Sequence, residues 1–91
     1  MKEVVQTLDY EGEHAAVLER AMQLFRDKSQ IRGQLWMEFP PSDKIRELNE
    51  RMRRIEYAYS RGEYDAVVED ALDVINFAAF LVKQIERGQS G

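Results

Sequence analysis

Residues 69–82 read Glu-Asp-Ala-Leu-Asp-Val-Ile-Asn-Phe-Ala-Ala-Phe-Leu-Val. Three carboxylates fall in the first five positions, and the remainder is apolar almost all the way round. At 100° per residue, Val67, Val68, Ala71, Val74, Ile75, Ala78, Val82 and Ile85 share one broad face. Glu69, Asp73, Asn76 and Phe80 lie opposite, and Asp70, Asp73, Phe77 and Phe80 make an adjacent row. A helix apolar on this many sides is buried between neighbours rather than laid on a surface. Its acids then sit at the mouth of a packed interior, where a carboxylate is costly unless it is paired or holds a metal. The stretch predicts an all-α fold and marks its acids as a candidate metal site.

Working outward, this helix spans 64–87 and a Gly-rich tail follows at 88–91. Gly62 precedes it and suits the end of another helix over 43–61, with Ser42 as N-cap after Pro40-Pro41. Ile45, Leu48, Met52, Ile55 and Tyr59 follow 3-4-3-4 spacing on that helix, a narrow stripe of the coiled-coil kind. Residues 33–42 read as a loop rich in large apolar groups. Leu35, Trp36, Met37 and Phe39 either fold over the core or wall a pocket, since water is a poor solvent for all four together. A first helix spans 10–32, with Asp9 as N-cap and Glu11 and Glu13 at the positive end of its dipole. Its apolar positions include Val17, Leu18, Ala21, Met22, Leu24 and Phe25. Residues 1–9 form an N-terminal arm, extended or as an extra helical turn. The expected architecture is one domain of three main helices, a small bundle completed by oligomerisation because a chain of 91 residues buries a modest share of its surface.

Composition narrows the chemistry. The formal net charge is −4 and no basic stripe is evident, which argues against nucleic-acid binding. There is no cysteine, so disulfides, thiolate catalysis and thiolate metal sites are excluded, and a single His14 excludes a multi-histidine site within one chain. No apolar run approaches the ~20 residues of a membrane span, and no signal-peptide core is present at the N-terminus. A cytoplasmic protein is expected. Any metal would be held by oxygen ligands, which points to Mg²⁺, Mn²⁺ or Ca²⁺.

Glu47 and Glu50 form an E-x-x-E pair about one turn apart on the second helix, and Asp70 and Asp73 a D-x-x-D pair on the third, with Glu69 beside it. Carboxylates of facing helices commonly build metal sites in bundles. The helical wheel places Glu50 about 180° and Glu47 about 120° from the apolar stripe, so both face solvent unless a second chain covers them. On the third helix Phe77 and Phe80 share the acids' face, which favours burial there.

This acidic pattern resembles that of the MazG-like all-α nucleotide pyrophosphatases. Within that group the chain is most similar to small phage and prophage nucleotide-modification-associated domains. The resemblance is carried by Glu50-Arg51-Met52-Arg53-Arg54-Ile55, by Gly62, and above all by Asp70-Ala71-Leu72-Asp73-Val74-Ile75-Asn76-Phe77-Ala78, with Lys28-Ser29-Gln30-Ile31-Arg32-Gly33-Gln34-Leu35-Trp36 upstream. It covers about residues 15 to 85. Arg32 stands where the family has tyrosine, Ser29 where it has asparagine, and Glu50-Arg51 where it has Asp-Lys. The resemblance implies Mg²⁺ (or Mn²⁺) held by Glu50, Asp70 and Asp73 with Glu47 and Glu69 assisting, and catalysis by Glu50 and Asp73. It implies phosphate contacts from Lys28, Arg51 and Arg54, an Asn76 that orients a ligand or contacts the nucleotide, and a Trp36 that stacks on a base or simply packs. The implied reaction is hydrolysis of a nucleoside triphosphate to monophosphate and pyrophosphate by attack of water on the α-phosphorus, in a homodimer or homotetramer.

A different class of function also fits: a helical oligomerisation or interaction module without catalysis, in which the stripe on the second helix and the two-faced third helix serve packing alone. Asn76 is then a buried amide bonded to a neighbouring helix, and Tyr57, Tyr59 and Tyr64 pack around the turn. His14 reads as a surface residue. The two readings separate at Asp73→Ala, which in an enzyme is expected to leave folding intact or to relieve carboxylate repulsion.

Overall fold

A computed structural model gives the architecture and describes residues 2–32 and 39–88, with side chains over 9–29 and 39–88. The described residues form three helices, α1 (Lys2–Arg32), α2 (Pro41–Ser60) and α3 (Tyr64–Glu86), with no strand among them. The class is all-α.

α2 and α3 form a hairpin, and α1 packs across α3. The hairpin follows from its turn. Gly62 adopts φ +74°, a left-handed conformation that favours glycine. Its N–H donates to the Tyr59 carbonyl at 3.1 Å and the Glu63 N–H to the Ala58 carbonyl at 2.9 Å, the paired bonds of a Schellman cap. A connection this short leaves the two helices antiparallel.

α2 starts two residues before the span read from the sequence. Pro40 rather than Ser42 is its N-cap, and Pro41 opens the first turn. Proline at the first helical position loses no hydrogen bond, because that N–H has no partner in any helix, and its fixed φ is already helical. The Phe39 carbonyl accepts from Lys44 Nζ at 2.9 Å and from Gln84 Nε2 at 2.8 Å, which pins the entry of α2 to the C-terminal half of α3.

α1 begins at Lys2 rather than at residue 10, so Asp9 lies inside the helix and residues 2–9 are helical, the second of the two alternatives read for them. Its 31 residues span about 46 Å. Every residue from 9 to 20 is exposed, and packing begins at Ala21, Leu24 and Phe25. The apolar loop read from Leu35, Trp36 and Met37 lies outside the described residues, and Phe39 is exposed. Among the described residues, no helix is long and apolar enough to cross a membrane.

The core is thin. Among the described residues only Ala21, Pro41, Ala58 and Phe80 are buried apolar side chains, while Lys44, Asp70, Asp73 and Gln84 are buried polar ones. Phe80 packs on Phe25 with ring centroids 5.3 Å apart and meets Phe77 edge-on at 6.2 Å. α2 does not turn the centre of its apolar stripe to α3. Pro41, Lys44, Leu48, Arg51, Ile55 and Ala58 carry most of its burial, a line rotated by about 60° from the stripe. The radius of gyration is 15.6 Å, against about 12 Å for a compact domain of this length.

Candidate functional site

The site grows from Asp73, at the middle of α3 and buried. Burial of a carboxylate demands compensation, and two other helices supply it. Lys28, near the C-terminus of α1, donates from Nζ to Asp73 Oδ1 at 2.7 Å, a length typical of a charge-assisted bond. Arg51 of α2 brings Nε to 3.7 Å from Asp73 Oδ2, close enough for electrostatic attraction and too long for a hydrogen bond. One turn earlier on α3, the buried Asp70 pairs with Arg54 Nη2 at 3.3 Å. The carboxylates of α3 thus tie the three helices together through cations that the sequence places 16 to 45 residues away.

Asn76 follows Asp73 by one turn and donates from Nδ2 to the Ala21 carbonyl at 2.9 Å. Arg51 lies over the Phe77 ring, 5.6 Å from its centroid. Beside Asp73 is a hollow of about 70 Å³, lined by Lys28, Ser29, Arg51 and Asn76 and by the rings of Phe25, Phe77 and Phe80. It has room for a few waters and is too small for a nucleotide. Two polar atoms at its edge, Ser29 Oγ and Arg51 Nε, are buried with no hydrogen-bond partner. Arg51 and Phe77 also line a second, open hollow of about 360 Å³, together with Phe39, Asp43, Lys44, Arg46 and Glu47. That volume is within the range of small-molecule sites. Burial pushes the Lys44 ammonium below its usual range, against the opposing pull of the Asp43 carboxylate.

The residues singled out in the sequence divide accordingly. Asp70, Asp73, Lys28, Arg51, Arg54 and Asn76 come together around α3. Glu47, Glu50 and Glu69 are exposed, and Trp36 lies outside the described residues. The described residues gather no group of three acids or histidines able to hold a metal ion, so Glu47, Glu50, Glu69, Asp70 and Asp73 do not form one cluster. The physical reason is the cations: with Lys28, Arg51 and Arg54 in place, the two buried aspartates are already compensated. Sequence reasoning missed Lys44 and Gln84, which meet at the Phe39 carbonyl, and gave Ser29 and Phe25 no part in the site. The spacing 41-44-48-51-55-58 on α2 was available as a signal, but its two cations hid it behind the more apolar stripe. Set against family models, curated proteins and solved structures, the chain matches none of them.

Proposed function

We propose that the chain is a Mg²⁺-dependent nucleoside triphosphate pyrophosphohydrolase, or a nucleotide-binding relative of one, with Asp70 and Asp73 as the metal-holding residues. One observation carries the reading. Cations from two helices converge on Asp73 while Arg51 Nε and Ser29 Oγ, at the same spot, are buried without hydrogen-bond partners. Buried polar atoms in native proteins are paired in the great majority of cases, and an orphan needs an explanation such as an absent ligand or water.

Two carboxylates a turn apart suit Mg²⁺, which keeps several waters and is commonly bound by one or two carboxylates plus substrate phosphates. When bound, the ion supplies neutralisation of phosphate charge and polarisation of the attacking water. In the absence of nucleotide, Lys28, Arg51 and Arg54 neutralise the aspartates. On nucleotide binding they turn to the phosphates, and the open hollow beside Arg51 and Phe77 takes the rest of the ligand. Glu50, exposed and without an ion-pair partner among the described residues, takes the proton of the attacking water. The water oxygen bonds to the α-phosphorus, the bond to the bridging oxygen breaks, and pyrophosphate leaves.

The alternative, a non-enzymatic interaction module, is favoured by the exposure of Glu47, Glu50 and Glu69 and by the complete pairing of Asp70 and Asp73. Pyrophosphate release separates the two. With Mg²⁺ or Mn²⁺ and each common ribo- and deoxyribonucleoside triphosphate, turnover is expected in the wild type and loss of it in Glu50→Gln, which changes an exposed side chain and leaves the fold intact. No release with any of these nucleotides rejects the hydrolase, and turnover unchanged in Glu50→Gln rejects the assignment of Glu50.

A further inference from the structure

We propose that the open hollow beside Arg51 and Phe77 reads the base of the nucleotide, and that it selects guanine through the Glu47 carboxylate. Guanine selection rests on the nucleotide reading above and narrows it to one substrate class. α2 and α3 run antiparallel, with Arg51 at Asp73 and Arg54 at Asp70. One turn back from Arg51 on α2 and one turn on from Asp73 on α3 therefore lead the same way along the hairpin. Those steps reach Glu47 and Phe77, each about 6 Å further along its helix axis, and both line the hollow of about 360 Å³. A ligand with its phosphates at Arg51 carries its base into this hollow.

The lining suits a flat ring with a polar edge. Phe39 and Phe77 offer aromatic surface there, and Phe39 is 53% exposed. Every base has a face that stacks on such rings, so stacking binds without choosing. The choice falls to the polar groups. Asp43, one carboxylate of the hollow, is held by Arg46 at 3.4 Å. Glu47, the other, is exposed and has no hydrogen bond or ion pair among the described residues. It is the open acceptor. Arg46 beside it keeps 72% of its side chain exposed and has N–H groups to spare. A free carboxylate next to a guanidinium fits an edge that presents two adjacent N–H donors and then an acceptor. Guanine presents that order with N2–H, N1–H and O6, and a carboxylate takes two parallel N–H bonds well. Uracil and thymine set a single N–H between two carbonyls, which repel the carboxylate. Adenine and cytosine offer one amino group beside a ring-nitrogen lone pair.

Calorimetric titration of the whole chain tests this with Mg²⁺ and the α,β-methylene analogues of GTP, ATP, CTP and UTP, whose α–β linkage the proposed reaction does not cleave. The guanosine analogue is expected to bind at least about tenfold more tightly than the other three. In Glu47→Gln, an exposed change that replaces two acceptors by one acceptor and one donor, that advantage should fall below about threefold while the other three bind no more weakly than before. Four analogues bound within about threefold of each other by the wild type overturn guanine selection and leave the nucleotide reading standing. A guanine advantage undiminished in Glu47→Gln overturns the role of Glu47. Binding of none of the four overturns the nucleotide reading itself, and guanine selection with it.

Discussion

Removing the Asp73 carboxylate is expected to unsettle the whole bundle. Lys28 Nζ donates to Asp73 at 2.7 Å, and a hydrogen bond to a charged group contributes about 1.5–3 kcal/mol. Lys28 keeps 35% of its side chain exposed, so it can turn back to water, and the lower end of that range applies. Arg51 has no such escape. Its side chain is 15% exposed, and beyond Asp73 it rests on the Phe77 ring. Stranding one member of a buried pair costs about 3–5 kcal/mol when the burial is complete. For this partly open pair we take about 1–2 kcal/mol. Asp73→Ala should therefore cost about 2–4 kcal/mol, read as a lower urea midpoint at fixed protein concentration. At ~4–8 °C per kcal/mol for a domain of this size, the melting temperature should fall by on the order of 15 °C. In a double-mutant cycle with Lys28→Met, the two losses should fall short of adding by about 1–2 kcal/mol. A cost below about 0.5 kcal/mol, or any gain, would refute the view that Asp73 ties the helices.

Three further outcomes follow from the packing. Gly62→Ala should lower stability by about 1 kcal/mol in urea unfolding, because alanine must adopt φ +74° although nothing lies within 4 Å of the added Cβ. Phe80→Ala should cost about 3–4 kcal/mol, as the ring is the largest buried apolar side chain among the described residues and packs on Phe25 and Phe77; a loss under 1 kcal/mol would mean that the aromatic cluster is not the core. Lys44 makes stability rise with pH: its folded pKa lies below the ordinary lysine value of 10.5, so between the two values the unfolded chain binds more protons and alkali favours the fold. Urea midpoints from pH 8 to 10.5 should climb less steeply in Lys44→Met than in the wild type, and equal slopes would remove Lys44 as the cause.

The helices were legible because their punctuation is chemical. Gly62, Pro41 and Gly88 act through a left-handed φ or a missing N–H, which are properties of single residues. The start of α1 was less legible, since no such residue marks it and Asp9 resembles a cap. The face of α3 carrying Asp70, Asp73, Phe77 and Phe80 could be read from 3.6-residue periodicity. Its partners could not: Lys28 is 45 positions from Asp73, and nothing local selects it over Arg26 or Arg32. This changes the sign of an expectation. From the sequence, Asp73→Ala in an enzyme leaves folding intact or relieves repulsion between neighbouring acids, whereas beside Lys28 and Arg51 the same change strands cations. The stripe on α2 misleads in the same way. Its most apolar line reads as the contact with α3, whereas Arg51 turns to Asp73 of α3 and Lys44 bonds the Phe39 carbonyl that Gln84 of α3 also meets.

The central claim is that the cations around Asp73 give way to a metal–nucleotide ligand. Thermal melts of the wild type and of Asp73→Asn with Mg²⁺ alone, with mixed nucleoside triphosphates alone and with both test it most directly. A ligand that binds only the folded state adds about 2.7 kcal/mol at 100-fold its Kd. The account predicts a clear rise in the wild type with both together, little with either alone, and no rise in Asp73→Asn. A wild-type melt that no combination moves, or a rise that persists undiminished in Asp73→Asn, contradicts it.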